Sequence, residues 1–329
     1  MPTIFITGAA GYVGGDFLAH LQQQHPEHQV RALVRSEQQA ALLNSQFPNV
    51  ECVFTTGSLR ELLISEGKTA DVVVQIANTD DEAMSFALLD GVAQHPGATY
   101  VHVSGIASLI DPSIPAGDLD PKVFSDAAQK DQLLSLPRDR LHTAIEQDIM
   151  AKAEQSHTKV AIVSLPRMYG KGRGHITPQS KIIEPYLRGA QSHGKVFVVG
   201  AGRNVSSHCH VSDASSALLL VVEEALGTES RVNWGRDGYY FVEAGEDSFT
   251  NFAKIIGQEL HSQGYVSDTD VDSLDEGPVS KIWEWGPKFW GSSSRSRADR
   301  LRALGWCASG IAEEDTIGET IRYVLGKDN

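Results

Sequence analysis

The chain has 329 residues, of which 41% are hydrophobic and 21% are charged, and its formal net charge at pH 7 is −14. This size and composition are typical of a globular protein with one large α/β domain and a smaller second domain. The acidic balance argues against a nucleic-acid partner, because phosphate binding needs a basic surface. No apolar run approaches the length of a membrane span and no signal peptide precedes the first strand, so we expect a cytoplasmic protein.

A glycine turn close to the N-terminus is the most specific motif. Residues 3–6 form a β-prone run, residues 7–14 read Thr-Gly-Ala-Ala-Gly-Tyr-Val-Gly, and an apolar pattern at helical spacing follows. A strand, a glycine turn and a helix in this order are what dinucleotide binding requires. Gly8 allows the tight turn, Gly11 lets the backbone approach a pyrophosphate, and Gly14 lets helix and strand pack closely. The alternative is a turn of another doubly wound protein that binds no nucleotide.

The first turn of the following helix would favour negative phosphates through its N–H groups and its dipole. The cofactor contacts expected from this stretch are Thr7, Gly8, Ala10, Gly11, Tyr12, Val13 and Gly14.

The spacing Gly-x-x-Gly-x-x-Gly resembles that of the extended and atypical short-chain dehydrogenase/reductases, which include sugar-nucleotide epimerases and NmrA-like proteins. Residues 166–172 resemble the R-P-x-x-x-Y-G-x-G loop of that family, residues 208–214 its V-H-V-x-D-x-A stretch, and residues 295–306 its S-R segment leading to L-G-W. The resemblance implies an α/β fold, with a doubly wound parallel Rossmann sheet and a smaller, discontinuous C-terminal substrate domain. The expected bounds are 1–168 plus 206–244 for the nucleotide domain and 169–205 plus 245–329 for the substrate domain.

The end of the predicted second strand, residues 30–35, decides which cofactor is bound. An Asp or Glu there would accept hydrogen bonds from the adenosine ribose and repel a 2′-phosphate. This chain has Arg35 followed by Ser36. A guanidinium can hold a phosphate by two parallel hydrogen bonds, so NADP(H) is expected rather than NAD(H). The alternative is a solvated surface arginine.

Two further strands are predicted to end beside the cofactor. Residues 71–78 form a continuous apolar run, as expected for a strand covered on both faces. This run resembles the family's fourth strand, which implies that Ala77 and Asn78 lie near the ribose. Residues 99–105 predict a fifth strand that ends at the carboxyl edge of the sheet, where ligands bind. After a sixth strand, the resemblance implies that Pro166 lies near the nicotinamide.

The family's chemistry normally rests on a Tyr-x-x-x-Lys pair on one helix and on a Ser or Thr, and this sequence lacks the pair. The tyrosine exchanges a proton at the reacting carbonyl, and the lysine stabilises its phenolate and binds the ribose. Matched by its distance to Pro166, the predicted helix 141–155 has His142 in place of Tyr and Glu146 in place of Lys. Gly105 falls where a hydroxyl is usual, so Ser104 or Ser108 is the remaining candidate, and Ser104 is also expected beside the cofactor.

Three interpretations of this helix stay open. In the first, His142 replaces the tyrosine as acid and base, since histidine titrates near neutrality, and Glu146 orients it from one turn away. In the second, both residues are polar positions on a half-exposed helix. In the third, Tyr169 or another residue of the substrate domain supplies the proton.

Other charged and metal-ligating residues have weaker patterns. Arg167, Lys171 and Arg173 form a basic cluster that would suit an anionic group or, alternatively, belong to a solvated loop. The three cysteines form no Cys-x-x-Cys pair, and His208 and His210 have no third ligand close in sequence. We therefore expect a reducing compartment and no metal.

The sequence predicts an NADP(H)-dependent oxidoreductase of the atypical or extended short-chain type, acting on a small carbonyl, alcohol or sugar-nucleotide-like substrate. One alternative is a non-catalytic NADP(H) sensor that regulates a partner, as the NmrA-like resemblance implies. Another is an isomerase or cyclase that uses the same pocket without net redox change. The expected partner is a small-molecule substrate, with no nucleic acid and no membrane, and a homodimer is left open.

Overall fold

The computed structural model describes residues 1–326. The strands of this part of the chain are β1 (Thr3–Thr7), β2 (Gln29–Leu33), β3 (Glu51–Val53), β4 (Val72–Gln75), β5 (Thr99–Gly105), β6 (Phe124–Ser125), β7 (Lys159–Leu165), β8 (Arg167–Tyr169), β9 (Val196–Val199), β10 (Val205–His210), β11 (Tyr239–Phe241), β12 (Gly245–Ser248), β13 (Val271–Leu274) and β14 (Ser296–Arg297). Its helices are α1 (Tyr12–Gln24), α2 (Glu37–Gln46), α3 (Leu59–Thr69), α4 (Glu82–Val92), α5 (Lys130–Leu133), α6 (Thr143–Ser156), α7 (Ile183–His193), α8 (Val211–Leu226), α9 (Phe249–Ser262), α10 (Glu276–Ile282), α11 (Gly286–Gly291), α12 (Asp299–Ala303) and α13 (Glu313–Leu325).

Seven parallel strands form the main sheet, in the order β11-β7-β5-β4-β1-β2-β3. Helices cover both of its faces, and α1 packs against α8 while α3 packs against α4. The strand order reverses at β1, which lies between β2 and β4. The carboxyl ends of β1 and β4 therefore border the crevice in which open α/β sheets bind ligands. The predicted doubly wound α/β fold is confirmed.

The inner strands are continuous apolar runs because both faces are covered. All four residues of β4 are buried, and so are six of the seven residues of β5 and of β7. The run predicted at 71–78 leaves the sheet after Gln75, so Ala77 and Asn78 lie exposed in the loop at the sheet edge.

A second hydrophobic core lies in the C-terminal part of the chain and is built by α7, α9, α13 and β9. Tyr186 is at its centre, with its ring 4.9 Å from that of Phe197 and 5.4 Å from that of Trp290. Trp290 is fully buried in this core and is thus a packing residue. None of the helices in residues 1–326 is both long and apolar enough to span a bilayer.

Candidate functional site

The glycines of the first turn are required by close backbone packing. Gly8 has φ of +79°, and a Cβ on it would lie 2.7 Å from the backbone N of Ala77. A Cβ on Gly14 would lie 2.1 Å from the carbonyl oxygen of Gly8. Only glycine accepts a positive φ and these contacts without strain. The turn consequently lies with its bare backbone against the end of β4, at the point where the strand order reverses.

The start of α1 has the properties of an anion site. Its N-cap is Gly11, which makes no side-chain capping bond, and the first turn has no acidic residue. The first N–H groups of a helix have no partner within the helix, and its dipole favours negative charge there. The Thr7 hydroxyl, at the end of β1, is buried and has no partner in residues 1–326. These residues fit the phosphates of a dinucleotide.

The loop after β8 closes over α1. The Tyr12 hydroxyl donates to the carbonyl oxygens of Tyr169, at 2.9 Å, and Gly170, at 2.6 Å. The buried Asp16 carboxylate accepts from the backbone N–H of Arg173 at 2.8 Å and from its guanidinium at 2.7 Å. Gly172 packs against the Tyr12 ring. The Tyr12 hydroxyl, from a residue expected to contact the cofactor, is thus engaged with this loop.

The basic cluster is neutralised by carboxylates. Arg167 pairs with Glu313 at 2.6 Å, and both side chains are buried. Lys171 pairs with Glu319 at 2.9 Å, and Arg173 with Asp16. These three cations anchor the loop and β8 to neighbouring helices, which leaves little charge for an anionic ligand.

Arg35 differs from that cluster, because its guanidinium makes no hydrogen bond or ion pair with the described residues. It is exposed, two residues beyond the end of β2, and its backbone N–H donates to the Gln39 side chain at 2.8 Å. Ser36 caps α2 by accepting from the backbone N–H of Gln39 at 3.2 Å. A free cation therefore lies at the strand end that the sequence analysis singled out.

Glu146 is a buried carboxyl group that joins three elements. It is 3% exposed and lies in the first turn of α6. It accepts from the Ser104 hydroxyl on β5 at 2.5 Å and from the Tyr239 hydroxyl on β11 at 3.2 Å. Burial raises the pKa of Glu146 to about 7, against the opposing effect of the Ser104 hydrogen bond. The group can therefore exchange a proton near neutrality.

His142 does not lie on α6, which begins at Thr143. It has φ of +66°, and a left-handed residue cannot continue a right-handed helix. Its Nδ1 atom lies 2.9 and 3.0 Å from the two carboxylate oxygens of Asp80. Its Nε2 atom would lie 3.4 Å from a Cβ on Gly105. The prediction that His142 and Glu146 share a helix face is wrong, and Asp80, not Glu146, is the partner of the imidazole.

The other two interpretations of the helix lose support. Glu146 is not half-exposed, and only 14% of the His142 side chain is exposed. The Tyr169 hydroxyl donates to the Ile311 carbonyl at 2.6 Å, and the Tyr169 ring lies 5.6 Å from the ring of His208 and 5.6 Å from that of His210. Burial raises the pKa of Tyr169 well above its usual value. Tyr169 is therefore a packed aromatic residue.

Three side chains beside Ser104 and His142 were not predicted from the sequence. They are Asp80, Tyr239 and His102. His102 is buried on β5, with its Nε2 atom 2.9 Å from the Thr79 hydroxyl and its Nδ1 atom 3.2 Å from the Tyr100 hydroxyl. Burial lowers the pKa of His102 to about 3, so its ring is neutral. Asp80 follows an inner strand at its carboxyl end, and that position was a usable signal.

One group of described side chains, His25, Glu27 and His28, comes close enough together to hold a metal ion. His25 already bonds Glu223 through Nε2 at 2.7 Å and Glu27 through Nδ1 at 3.3 Å. The His25 and His28 rings are stacked with an interplanar angle of 7°. Both rings would have to turn to point at one ion, so we read this group as a hydrogen-bonded surface cluster.

A seven-stranded doubly wound sheet, a glycine turn at the reversal of strand order and a second core at the C-terminus together define an extended short-chain dehydrogenase/reductase fold. The model of the NAD dependent epimerase/dehydratase family matches residues 139–235. The oxidase ucsJ of Acremonium sp is 31% identical over 320 residues, which cover 92% of this chain and 92% of that protein. The chain belongs to the NAD-dependent epimerase/dehydratase family, as the resemblance in its sequence implied.

More distant matches agree with this assignment. The uncharacterized protein YLL056C of Saccharomyces cerevisiae is 24% identical over 330 residues, with 90% of this chain and 98% of that protein covered. The dTDP-glucose 4,6-dehydratase of Bacillus anthracis, solved in complex with NAD, superposes with a TM-score of 0.72 at 17% identity, over 100% of this chain and 98% of that one. The UDP-glucose 4-epimerase of Thermotoga maritima, solved with UDP-glucose, superposes with a TM-score of 0.67 at 15% identity, over 99% of this chain and 100% of that one. At these identities the two solved structures show the fold alone.

Proposed function

We propose that this protein is an NADP(H)-dependent oxidoreductase that acts on a small carbonyl, alcohol or sugar-nucleotide-like substrate. The observation that carries the proposal is one sheet edge on which a bare glycine turn, the His142 imidazole and the buried Glu146 carboxyl group meet. The turn follows β1, while His142 lies against Gly105 at the end of β5 and Glu146 bonds Ser104. A phosphate site and an acid–base site on one edge suit hydride transfer.

The proposed cofactor site runs along this edge. The backbone of the glycine turn would hold the pyrophosphate, Arg35 and Ser36 the 2′-phosphate, Ala77 and Asn78 the ribose, and Ser104 and Pro166 the nicotinamide end. When bound, the cofactor supplies or accepts the hydride. The free guanidinium of Arg35 supports NADP(H) over NAD(H). The residues proposed for the turn are Thr7, Gly8, Ala10, Gly11, Tyr12, Val13 and Gly14.

Side chains of the protein would exchange the proton with the substrate oxygen. We assign the exchange with the substrate oxygen to Nε2 of His142, because that atom faces the backbone of Gly105, which has no side chain. Glu146 holds a second proton close to neutral pH and keeps the Ser104 hydroxyl oriented toward its own carboxyl group. This assignment replaces the Tyr-x-x-x-Lys pair with a histidine and a carboxyl group.

The domain division follows the same proposal, with residues 1–168 and 206–244 binding the nucleotide and 169–205 and 245–329 binding the substrate. Residues 327–329 of that division lie outside the described part of the chain. The separate aromatic core around Tyr186 supports a second folding unit. Cys52, Cys209 and Cys307 are free, which supports a reducing, cytoplasmic compartment.

A calorimetric titration with NADPH and NADP+, followed by a turnover assay on a panel of carbonyls and alcohols, tests the proposal. We expect binding of the cofactor and cofactor-dependent turnover of at least one panel member. Binding of both redox forms with no turnover would favour the sensor instead, which the missing Tyr/Lys pair makes the second candidate. Conversion of a substrate with no net change in NADPH would favour an isomerase or cyclase.

A further inference from the structure

The backbone at His142 is held in an unusual conformation just before α6. His142 and His157 are the only non-glycine residues of the described chain with positive φ, and His157 merely ends α6. A non-glycine residue keeps a left-handed conformation only where its surroundings determine it, and such positions are frequent in active sites. At His142 the conformation turns the side chain away from the helix and toward the ends of β4 and β5.

Asp80 is the group that meets the imidazole there. Both of its carboxylate oxygens lie within 3.0 Å of Nδ1. A turn after β4 sets its position, because the Asp80 N–H donates to the Asn78 side chain at 3.3 Å and the Asp81 N–H donates to the Asn78 carbonyl at 3.2 Å. These two bonds hold the backbone from which the Asp80 carboxylate reaches His142.

This contact decides which ring nitrogen carries the proton. An ionised carboxylate only accepts hydrogen bonds, so the nitrogen facing it must be Nδ1–H. The Asp80 pKa is lowered chiefly by the His142 hydrogen bond, which keeps the carboxylate ionised. Nε2 is then the nitrogen with a free lone pair, and it faces Gly105, a position without a side chain.

We propose that Asp80 is a positioning residue, which holds His142 in the Nδ1–H form so that Nε2 exchanges the substrate proton beside Gly105. This inference rests on the proposed function. In the oxidation direction, Nε2 would take the hydroxyl proton of the substrate, and a bound oxidised cofactor would accept the hydride from its C–H, which would leave a carbonyl and an imidazolium. The imidazolium charge is balanced by Asp80, and reduction runs the same transfers in reverse.

The other titratable groups around the ring do not compete for this role. His102 lies nearby on β5, but it is neutral and bonds Thr79 and Tyr100. Glu146 acts on His142 only through space, because its hydrogen bonds go to Ser104 and Tyr239. Asp80 is consequently the group that sets the tautomer.

Nitrogen-15 NMR of the histidine side chains tests the proposal without any substrate. The His142 signal is assigned by its loss in His142→Gln, and the wild type should show the Nδ1–H tautomer. Asp80→Asn presents an amide that can donate to Nδ1, so we expect a shift to the Nε2–H tautomer. Asp272→Asn is the matched control, because Asp272 pairs with His193 at 2.9 Å on the other core and should leave the His142 signal unchanged.

Kinetics give the second measurement once a substrate is found. Asp80→Asn should lower kcat by about a hundredfold with little change in KM or in NADPH affinity. The double variant Asp80→Asn, His142→Gln should have a kcat no lower than that of the slower single variant, because the two residues act as a unit. An unchanged His142 tautomer in Asp80→Asn overturns the inference even if NADPH binds, whereas a failure to bind NADPH with the tautomer shift intact overturns the proposed function instead.

Discussion

The Ser104 hydroxyl donates to the Glu146 carboxyl group at 2.5 Å, inside the layer between β5 and α6. The resemblance to short-chain dehydrogenases implied a lysine at position 146, so a group that is neutral or negative stands where a cation was expected. A buried carboxylate would be costly here, and burial accordingly raises the pKa of Glu146 to about 7. The protonation state of this edge therefore changes within the physiological pH range.

Glu146→Gln should stabilise the protein above neutral pH. The raised pKa of the folded state means that the contribution of Glu146 to stability is present below about pH 4.5 and is lost as pH rises through about 7. The amide cannot ionise but can still accept from Ser104 and Tyr239. We expect a gain in the free energy of unfolding on the order of 2 kcal/mol at pH 8 and a much smaller one at pH 5, measured by urea denaturation.

Glu184→Gln is the control for this measurement, because Glu184 is a partly exposed residue of α7 that forms an ion pair with Arg188 one turn away. It should change stability by less than about 0.5 kcal/mol at either pH. Equal stability changes for Glu146→Gln at pH 5 and pH 8 would contradict the raised pKa.

Arg35→Ala should change the choice between the two pyridine nucleotides. Loss of a charge-assisted contact with the 2′-phosphate should weaken NADPH binding by about tenfold or more and leave NADH binding nearly unchanged. Fluorescence titration with both nucleotides measures the two Kd values. Arg236→Ala, which removes another exposed arginine, should alter neither of them. An unchanged ratio of the two Kd values in Arg35→Ala would rule out a role for Arg35 in cofactor choice.

Asp16→Ala should loosen the loop after β8. The Asp16 carboxylate is buried, and it accepts from Arg173 and from the Ser215 hydroxyl at 2.6 Å. Burial raises its pKa, but the hydrogen bonds from Arg173 and Ser215 outweigh this and lower it overall, so its stabilising contribution is lost as pH falls through the lowered pKa. We expect a loss of about 2 kcal/mol near pH 7, since Ser215 and the partly exposed Arg173 lose their acceptor.

Denaturation of Asp148→Ala provides the comparison for Asp16→Ala. Asp148 pairs with Arg138 at 2.7 Å, but both side chains are exposed, so this variant should lose less than about 1 kcal/mol. Limited proteolysis should also cut residues 170–182 faster in Asp16→Ala than in the wild type. Similar stabilities and cleavage rates for the two variants would mean that the Asp16 pair does not hold the loop.

Features that depend on residues close together in the sequence were predictable, whereas contacts between residues far apart in the sequence were not. The glycine turn and the inner strands were predictable, because Gly8 and the apolar run at β4 are set by close packing and by burial on both faces. The pair of His142 and Asp80 was not, because 62 positions separate the two residues and helical spacing suggested Glu146 instead. The left-handed backbone at His142 makes α6 begin two residues later than predicted, at Thr143, and nothing in the local composition marks it.

Tyr239 was missed for a similar reason. It lies on β11, and the pairing of β11 with β7 brings the Tyr239 hydroxyl to Glu146 from 93 residues away. The sequence identified Ser104 and Glu146 one by one through the family pattern, whereas the contact between them follows from where α6 begins.

Gly105→Val should impair turnover more than Gly105→Ala. The backbone of Gly105 is extended, with φ of −140°, so a side chain brings no backbone strain. The added Cβ of alanine would lie 3.4 Å from Nε2 of His142, an ordinary contact, whereas the γ-methyl groups of valine would push the ring away from the position assigned to the substrate. We expect Gly105→Val to lower kcat by about tenfold or more and Gly105→Ala by less than about threefold, while both keep the wild-type Kd for NADPH. Steady-state kinetics with the same substrate and calorimetry with NADPH measure these quantities, and equal kcat values for the two variants would mean that the reacting atoms do not lie between Gly105 and His142.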